Sequence, residues 1–175
     1  MRNLLTFLCL CICTTAAIAQ NKKTATIDQQ WRQVDSLIIY GYPVDAQKIV
    51  LQIQDKATTA NDKPNILRAQ LLTLHFQLTA AETEEAQYQL LQQFGKQKRT
   101  AVEQAIVNNF LADAYWGIYE NNRWAILERT NLATMPADAN ITTWTEQTFT
   151  DSVVHLLQQS IQDKAALEAT AAAPY

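Results

Sequence analysis

The stretch from Asn108 to Trp124, NNFLADAYWGIYENNRW, decides the fold class of this chain. Its large side chains recur at steps of three and four residues, the spacing that places side chains on one face of an α-helix. We expect that face to carry Phe110, Leu111, Ala114, Tyr115, Ile118 and Tyr119, with Trp116 and Trp124 beside it. The pattern predicts the central helix of an all-helical domain.

Before this stretch, the first 19 residues have the pattern of an export signal. Arg2 supplies a positive charge, an apolar run extends from Leu4 to Ile12, and Ala17 to Ala19 form a small-residue cleavage site before Gln20. The run is too short to span a membrane as a helix. The sequence therefore predicts a Sec-type signal over residues 1–19, a helical domain over residues 20–175, and a periplasmic or extracellular location without stable membrane insertion.

Composition excludes several classes of site from the mature domain. All three cysteines lie in the predicted signal, so no disulfide, zinc thiolate or cysteine nucleophile is expected after it. Loss of Arg2 lowers the basic count from 14 to 13 against 17 acidic residues, a net charge of −4. The basic residues are scattered except for Lys96, Lys98 and Arg99, which argues against nucleic-acid binding. That cluster is more simply interpreted as a cationic last helical turn.

Helix boundaries can be assigned from capping residues. Thr26 is a candidate N-cap for a first helix that Gly41 ends, and Pro43 suits the first turn of a second helix. The short turn between them requires the two helices to lie antiparallel as neighbours. Asp62 or Asn61 can cap a third helix, whose inner stripe is expected to be Leu67, Leu71, Leu74 and Leu78.

A helical-hairpin repeat is the architecture that these boundaries favour. A fourth helix is expected from about Glu82, burying Ala86, Leu90 or Leu91, and Phe94. Aligning Ala46 with Ala86 gives a spacing of 40, and the aromatic helix begins near Thr100, where a third unit would begin. Such periods are typical of tetratricopeptide-like arrays. We therefore expect about six helices packed as antiparallel pairs.

A long loop is predicted from Ile126 to Ile141, where the helical pattern weakens and Pro136 occurs. Trp124 and Trp144 lie on either side of it and are expected to pin its two ends. Helix is expected to resume after Thr142 or Thr143.

No residue pattern in the chain predicts catalysis, metal binding or cofactor binding. His75 and His155 have no second ligand at a suitable spacing, and the acidic cluster at Glu82, Glu84 and Glu85 suits a first helical turn. We expect the aromatic residues to be mainly core, although they could also form a carbohydrate or peptide platform. The structural or interaction candidates are Tyr115, Trp116, Tyr119, Arg123, Trp124 and Trp144.

Arg123 admits two interpretations. At the end of the aromatic helix its guanidinium could donate to the last carbonyls and clamp the entry to the loop. Alternatively, it faces outward and pairs with a neighbouring domain. The sequence favours the clamp.

Three blocks carry a family resemblance. They are WRQVDSLIIYGYPVDAQKIV from Trp31, LADAYWGIYENNRW from Leu111 with ILERT behind it, and ITTWTEQTF from Ile141. Together they resemble the N-terminal helical region of the secreted α2-macroglobulin-like proteins of Bacteroidetes, in which a train of β-sandwich domains follows. The resemblance covers nearly all of the mature chain. It implies a family role in trapping or inhibiting proteases in the envelope.

This chain departs from that family in having no β-sandwich pattern and no Cys-x-Glu-Gln thioester. The expected function is therefore a non-catalytic scaffold or docking domain for macroglobulin domains C-terminal to Tyr175, with proteases as partners only of the full-length protein. The alternative is a free-standing helical-repeat protein that binds peptides or envelope proteins in a groove between hairpins.

Overall fold

The computed structural model describes residues 25–129 and 140–170, and the predicted export signal and its cleavage site lie outside these ranges. Every regular element in the described part is helical. The α-helices are α1 (Ile27–Ile39), α2 (Pro43–Ala60), α3 (Lys63–Ala80), α4 (Glu84–Gly95), α5 (Ala101–Asn121), α6 (Arg123–Leu127), α7 (Glu146–Ser160) and α8 (Lys164–Ala169), with a 3₁₀ turn at Ile141–Thr143. The all-α prediction is confirmed, and the six long helices match the expected number.

Side-chain caps fix where most of these helices begin. Thr26 and Thr100 each form a reciprocal capping box with the residue three positions later. Asp62, Thr83 and Thr145 each accept a hydrogen bond from a backbone N–H in the first turn of α3, α4 and α7. Each cap satisfies a donor that the helix leaves unpaired. The predicted caps at Thr26 and Asp62 are thereby confirmed.

At the ends of α1 and α4, donors from following residues pair with carbonyls of the last turn. Gly41 has a φ of 78° in the turn between α1 and α2, and the next residue, Tyr42, donates its N–H to the carbonyl of Leu37 at 2.8 Å. At the end of α4, the guanidinium of Arg99 donates to the carbonyl of Phe94 at 2.9 Å and stacks on its ring. Arg99 therefore caps α4 from beyond its end, whereas the sequence predicted a cationic last turn and the last turn of α4 holds no basic residue.

The helices pack as three successive pairs: α1 with α2, α3 with α4, and α5 with α7. The second helix of the first pair also packs against α3, which joins the first pair to the second. In the third pair, the segment from Asn122 to Thr145 is inserted between the two helices. The arrangement is a helical-hairpin array whose last hairpin carries an insertion.

Two hydrophobic cores lie on opposite faces of α3. The smaller core joins α1, α2 and α3 and contains Trp31, Val34, Ala46, Val50, Ile53 and Ala69. The larger core joins α3 to α7 and is organised around α5, which contributes Val107, Leu111, Tyr115, Ile118 and Tyr119. Phe110 and Ala114 pack against the larger core. The central position predicted for the aromatic helix is therefore confirmed.

The fourth helix differs in register from the sequence prediction. It begins at Glu84 after the cap at Thr83, so Glu82 precedes it. Ala86 was expected in the core but is exposed, whereas Tyr88 is buried. The alignment of Ala46 with Ala86 is consequently wrong, because the two alanines occupy different positions relative to their helix starts. Helix α6 also covers the beginning of the segment that was predicted as loop.

Candidate functional site

Three of the six candidate residues belong to the larger core. Tyr115, Tyr119 and Trp144 are buried. The ring centroids of Tyr115 and Trp144 lie 5.5 Å apart, and Trp144 meets Phe149 at 5.2 Å in an edge-on arrangement. These contacts join α5 to the start of α7, so the three side chains stabilise the fold.

The two other tryptophans are exposed. Trp116 is 39% exposed and lies against the ring of Tyr119, with ring centroids 4.9 Å apart. Trp124 is 82% exposed on α6. Trp144 is buried where the chain returns to α7, but Trp124 does not pack into the core. The expectation that Trp124 pins the first end of the inserted segment is therefore wrong.

Arg123 is the first residue of α6 and its side chain is exposed. The sequence predicted that Arg123 donates to the last carbonyls of the aromatic helix. Asn122 makes this contact instead, because its side-chain amide donates to the carbonyl of Ile118 at 2.9 Å. The hydroxyl of Tyr119 donates to Glu146 at 2.8 Å. This bond raises the pKa of Tyr119, burial adds to the shift, and the positive charge of Arg123 opposes it.

Arg129 is the clamp that the sequence analysis missed. One guanidinium nitrogen donates to the carbonyls of Ile141 and Trp144, at 3.3 and 3.0 Å. The other donates to both carboxylate oxygens of Glu84, each at 3.0 Å. The two charged side chains are only 19% and 16% exposed. Arg129 therefore ties the end of α6, the 3₁₀ turn and the start of α4 together.

An apolar groove lies among the described residues. It has a volume of about 480 Å³ and is lined by the first helices of the three pairs. Its lining residues are Asp35 and Ile38 from α1, Pro64, Leu67, Arg68, Leu71, Leu72, His75 and Phe76 from α3, and Ile106 and Phe110 from α5. This size and apolar character are typical of ligand-binding clefts.

The charged groups of the groove lie at one side. The guanidinium of Arg68 is 4.1 Å from the centroid of the Trp31 ring and 3.9 Å from a carboxylate oxygen of Asp35. The indole N–H of Trp31 donates to Asn65 at 2.7 Å, which fixes the ring beneath the guanidinium. Because Asp35 and Arg68 offset each other, the groove offers apolar contact with little net charge.

A second apolar surface lies on the outer side of the last pair. Val154 and Leu157 on α7 and Ile161 just after it follow one another at steps of three and four residues, and all are exposed. Leu127 of α6 is exposed as well, and it lines a cleft with Thr150 of α7. We call Leu127, Val154, Leu157 and Ile161 the outer stripe.

No group of His, Cys, Asp and Glu side chains that could hold a metal ion occurs in the described residues. Within the same ranges, no helix is long and apolar enough to cross a membrane. His75 and His155 are both exposed. His75 lines the apolar groove, and His155 is hydrogen-bonded to Gln159 at 2.9 Å.

Comparisons with known proteins identify no relative. No protein-family model matches the chain, and no curated protein and no solved structure shows significant similarity to it. The groove and the outer stripe are therefore interpreted from their own chemistry.

Proposed function

We propose that this chain is a non-catalytic docking domain of an exported protein, and that it binds an apolar segment of another protein in the groove between α1, α3 and α5. The observation that carries the proposal is the groove itself, because its walls come from the first helix of every pair. Stacked helical hairpins form extended concave surfaces of this kind, which bind peptides.

The balance of charge in the groove defines the expected partner. Side chains from Leu71, Leu72, Ile106 and Phe110 offer apolar contact, and the charges of Asp35 and Arg68 neutralise each other. A segment with several apolar side chains and little net charge fits this surface. Its binding should change little with salt, since screening acts mainly on unbalanced charges.

Selection of peptides from a displayed random library on the full chain tests the proposal. Enriched peptides should be rich in apolar residues and should bind about tenfold more weakly to Ile38→Ser, which removes apolar area from the groove wall. Ile39→Ser is the matched control, because Ile39 is the next residue of α1, is 79% exposed and does not line the groove. Equal binding to both variants, or failure to enrich apolar peptides, would count against the groove.

The outer stripe supports a second candidate function. The resemblance to α2-macroglobulin-like proteins implies a scaffold role for macroglobulin domains that follow this one, and such a domain needs a surface on the last helical pair. Terminal repeats of hairpin arrays normally have a polar outer face. Here the outer face carries Val154, Leu157 and Ile161 instead.

The reading frame beyond Tyr175 and hydrogen exchange test this candidate. A frame that continues into alternating, strand-like segments should yield a longer protein in which amides of α7 exchange more slowly than in this chain. In that protein Leu157→Ser should remove the added protection, whereas Leu51→Ser, an exposed leucine of α2, should not. A stop codon directly after Tyr175 would eliminate the scaffold candidate and leave the peptide-binding one.

A further inference from the structure

A cavity lined by amide, apolar and aromatic side chains lies between α4, α5 and α7, separate from the groove. Its volume is about 430 Å³, and four amide side chains line it, those of Gln92, Gln104, Asn108 and Gln159. We call this cavity the amide pocket. Among the described residues that line it, none is acidic, and the basic side chains are those of Lys96 and His155.

Two buried polar groups in the amide pocket have hydrogen-bonding capacity to spare. Asn108 is 6% exposed, and its side-chain oxygen accepts from Gln104 at 2.8 Å. Tyr115 is 5% exposed, and its hydroxyl oxygen accepts from Gln92 at 3.1 Å. Both buried groups act as acceptors in these bonds. Within residues 25–129 and 140–170, neither the Asn108 N–H₂ nor the Tyr115 O–H donates to another group.

The Asn108 N–H₂ is not among the fully enclosed, unpartnered side-chain atoms of the described residues, so it stays accessible from the cavity. A polar molecule in the cavity can therefore accept from this donor and from the Tyr115 hydroxyl. The nearby side chain of Gln104 uses its N–H₂ on Asn108, so its oxygen can accept from the same molecule.

The remaining walls of the amide pocket are apolar and aromatic. Tyr88, Tyr115 and Trp144 form one side, with Leu91, Leu111 and Leu156 around them. Ring contacts among the three aromatic residues hold this wall in place, with centroids 5.5 to 6.3 Å apart. A matching ligand therefore has both apolar C–H faces and several groups that donate and accept.

We propose that the amide pocket binds a neutral saccharide unit. Sugar hydroxyls both donate and accept, so they can pair with the Asn108 and Tyr115 donors and with amide oxygens, while the ring C–H groups contact the aromatic wall. The absence of a carboxylate among the lining residues disfavours cationic ligands. This proposal stands independently of peptide binding in the groove, because the two cavities share no lining residue.

Nuclear magnetic resonance on the ¹⁵N-labelled full chain tests the proposal directly. Glucose, N-acetylglucosamine and maltose are added separately at millimolar concentration, with triglycine as a peptide probe. At least one sugar should shift the side-chain amide signals of Gln92, Gln104 and Asn108 in a saturable way. Shifts caused by triglycine alone, or no saturable shift with any sugar, would overturn the saccharide assignment.

Matched variants distinguish specific sugar binding in the amide pocket from non-specific contact with a polar surface. Tyr115→Phe keeps the ring and removes the hydroxyl donor, and it should weaken sugar binding about 3- to 10-fold. Gln159→Ala should have a similar effect, whereas Gln158→Ala, its neighbour on α7 outside the pocket, should have none. All three variants are checked for an unchanged helical circular dichroism spectrum. Sugar affinities that equal those of the parent in both Tyr115→Phe and Gln159→Ala would refute the proposal.

Discussion

Arg129 is the single residue whose replacement should damage the fold most specifically. It pairs with Glu84 in a largely buried position and donates to two backbone carbonyls that begin the return to α7. Arg129→Ala should lower the free energy of unfolding by about 3 kcal/mol, because it leaves the Glu84 carboxylate buried without its partner. Chemical denaturation measures the difference.

Arg123→Ala is the matched control for this prediction. Its side chain is exposed, so its loss should change stability by no more than about 0.5 kcal/mol. If the two alanine variants unfolded at the same denaturant concentration, Arg129 would not be the clamp that its contacts describe.

Tyr115 should make the protein sensitive to alkali. Burial raises the pKa of Tyr115 to about 12, against 10.0 for an unperturbed tyrosine, while the hydrogen bond from Gln92 opposes the shift. Between these values the unfolded state loses the proton and the folded state keeps it. The unfolded state therefore binds fewer protons, and stability falls as pH rises through this window.

This shift corresponds to about 2 to 3 kcal/mol that is present below pH 10 and lost by about pH 12. Denaturant unfolding at a series of pH values should show a smaller alkaline loss in Tyr115→Phe than in the parent. Tyr40→Phe, at an exposed position, should follow the parent curve. An identical pH dependence in Tyr115→Phe and the parent would contradict the assignment.

The sequence predicted that the aromatic stretch is helical, but it did not predict which arginine acts as the clamp. Arg123 and Arg129 stand six residues apart, and local spacing favoured Arg123 because it is nearer the end of the aromatic helix. The deciding partner of Arg129 is Glu84, 45 residues earlier in the chain. Only the packing of α4 against the 3₁₀ turn brings them together, and that packing has no local signature.

Gly41 and Gly117 differ in what an added side chain would cost. Gly41 has a positive φ in the turn after α1, where a side chain is strained even though the surrounding space is open. Gly117 lies inside α5, also with open space around it, but without a positive φ. Gly41→Ala should therefore destabilise the protein by about 1 kcal/mol, and Gly117→Ala should stabilise it by about 0.5 to 1 kcal/mol.

Thermal unfolding of the two variants measures these opposite effects. Because an added Cβ meets no atom within 4 Å at either position, the backbone conformation decides the sign of the effect. A melting temperature that rose in Gly41→Ala would show that the turn tolerates a different conformation.

At the scale of helices, capping residues made the sequence prediction reliable. Thr26, Asp62 and Thr100 each stand before a run with helical periodicity, and each begins a helix in the structure. The buried face of a helix was harder to predict where more than one face of that helix is apolar. Helices α3 and α5 pack on more than one side, so periodicity alone could not separate the groove from the core.

The exposed position of Trp124 could not be predicted for a related reason. A tryptophan beside a helical stripe is usually buried, since it removes a large apolar area from water. Here α5 ends at Asn121, and the new helix α6 turns Ile126 rather than Trp124 into the core. The helix break at Asn122 thus altered the register that the continuous pattern had suggested.

The described part of the molecule contains two cores that share α3, and this arrangement affects how the protein unfolds. The smaller core depends on α1, α2 and one face of α3, and the larger core holds the rest. Hairpin arrays have stabilities that are sums of repeat and interface contributions, so partial opening at one end is expected. The first pair, α1 and α2, should open without unfolding of α5 and α7.

Val34 and Val107 form a matched pair for testing this separation. Both side chains are completely buried, Val34 in the smaller core and Val107 in the larger. Each valine-to-alanine substitution should cost about 2 kcal/mol, from lost burial and the cavity that remains. Native-state hydrogen exchange then shows which helices each substitution destabilises.

Val34→Ala should accelerate exchange in α1 and α2 strongly while leaving the slowest amides of α5 and α7 nearly unchanged. Val107→Ala should accelerate exchange in α4, α5 and α7, because the larger core loses contacts shared by all three helices. Uniform acceleration across the protein in both variants would mean that α3 couples the two cores into one cooperative unit. In that case the groove, which spans α1, α3 and α5, would be a fixed surface. If the pair of α1 and α2 opens separately, the α1 wall of the groove can move to admit a partner.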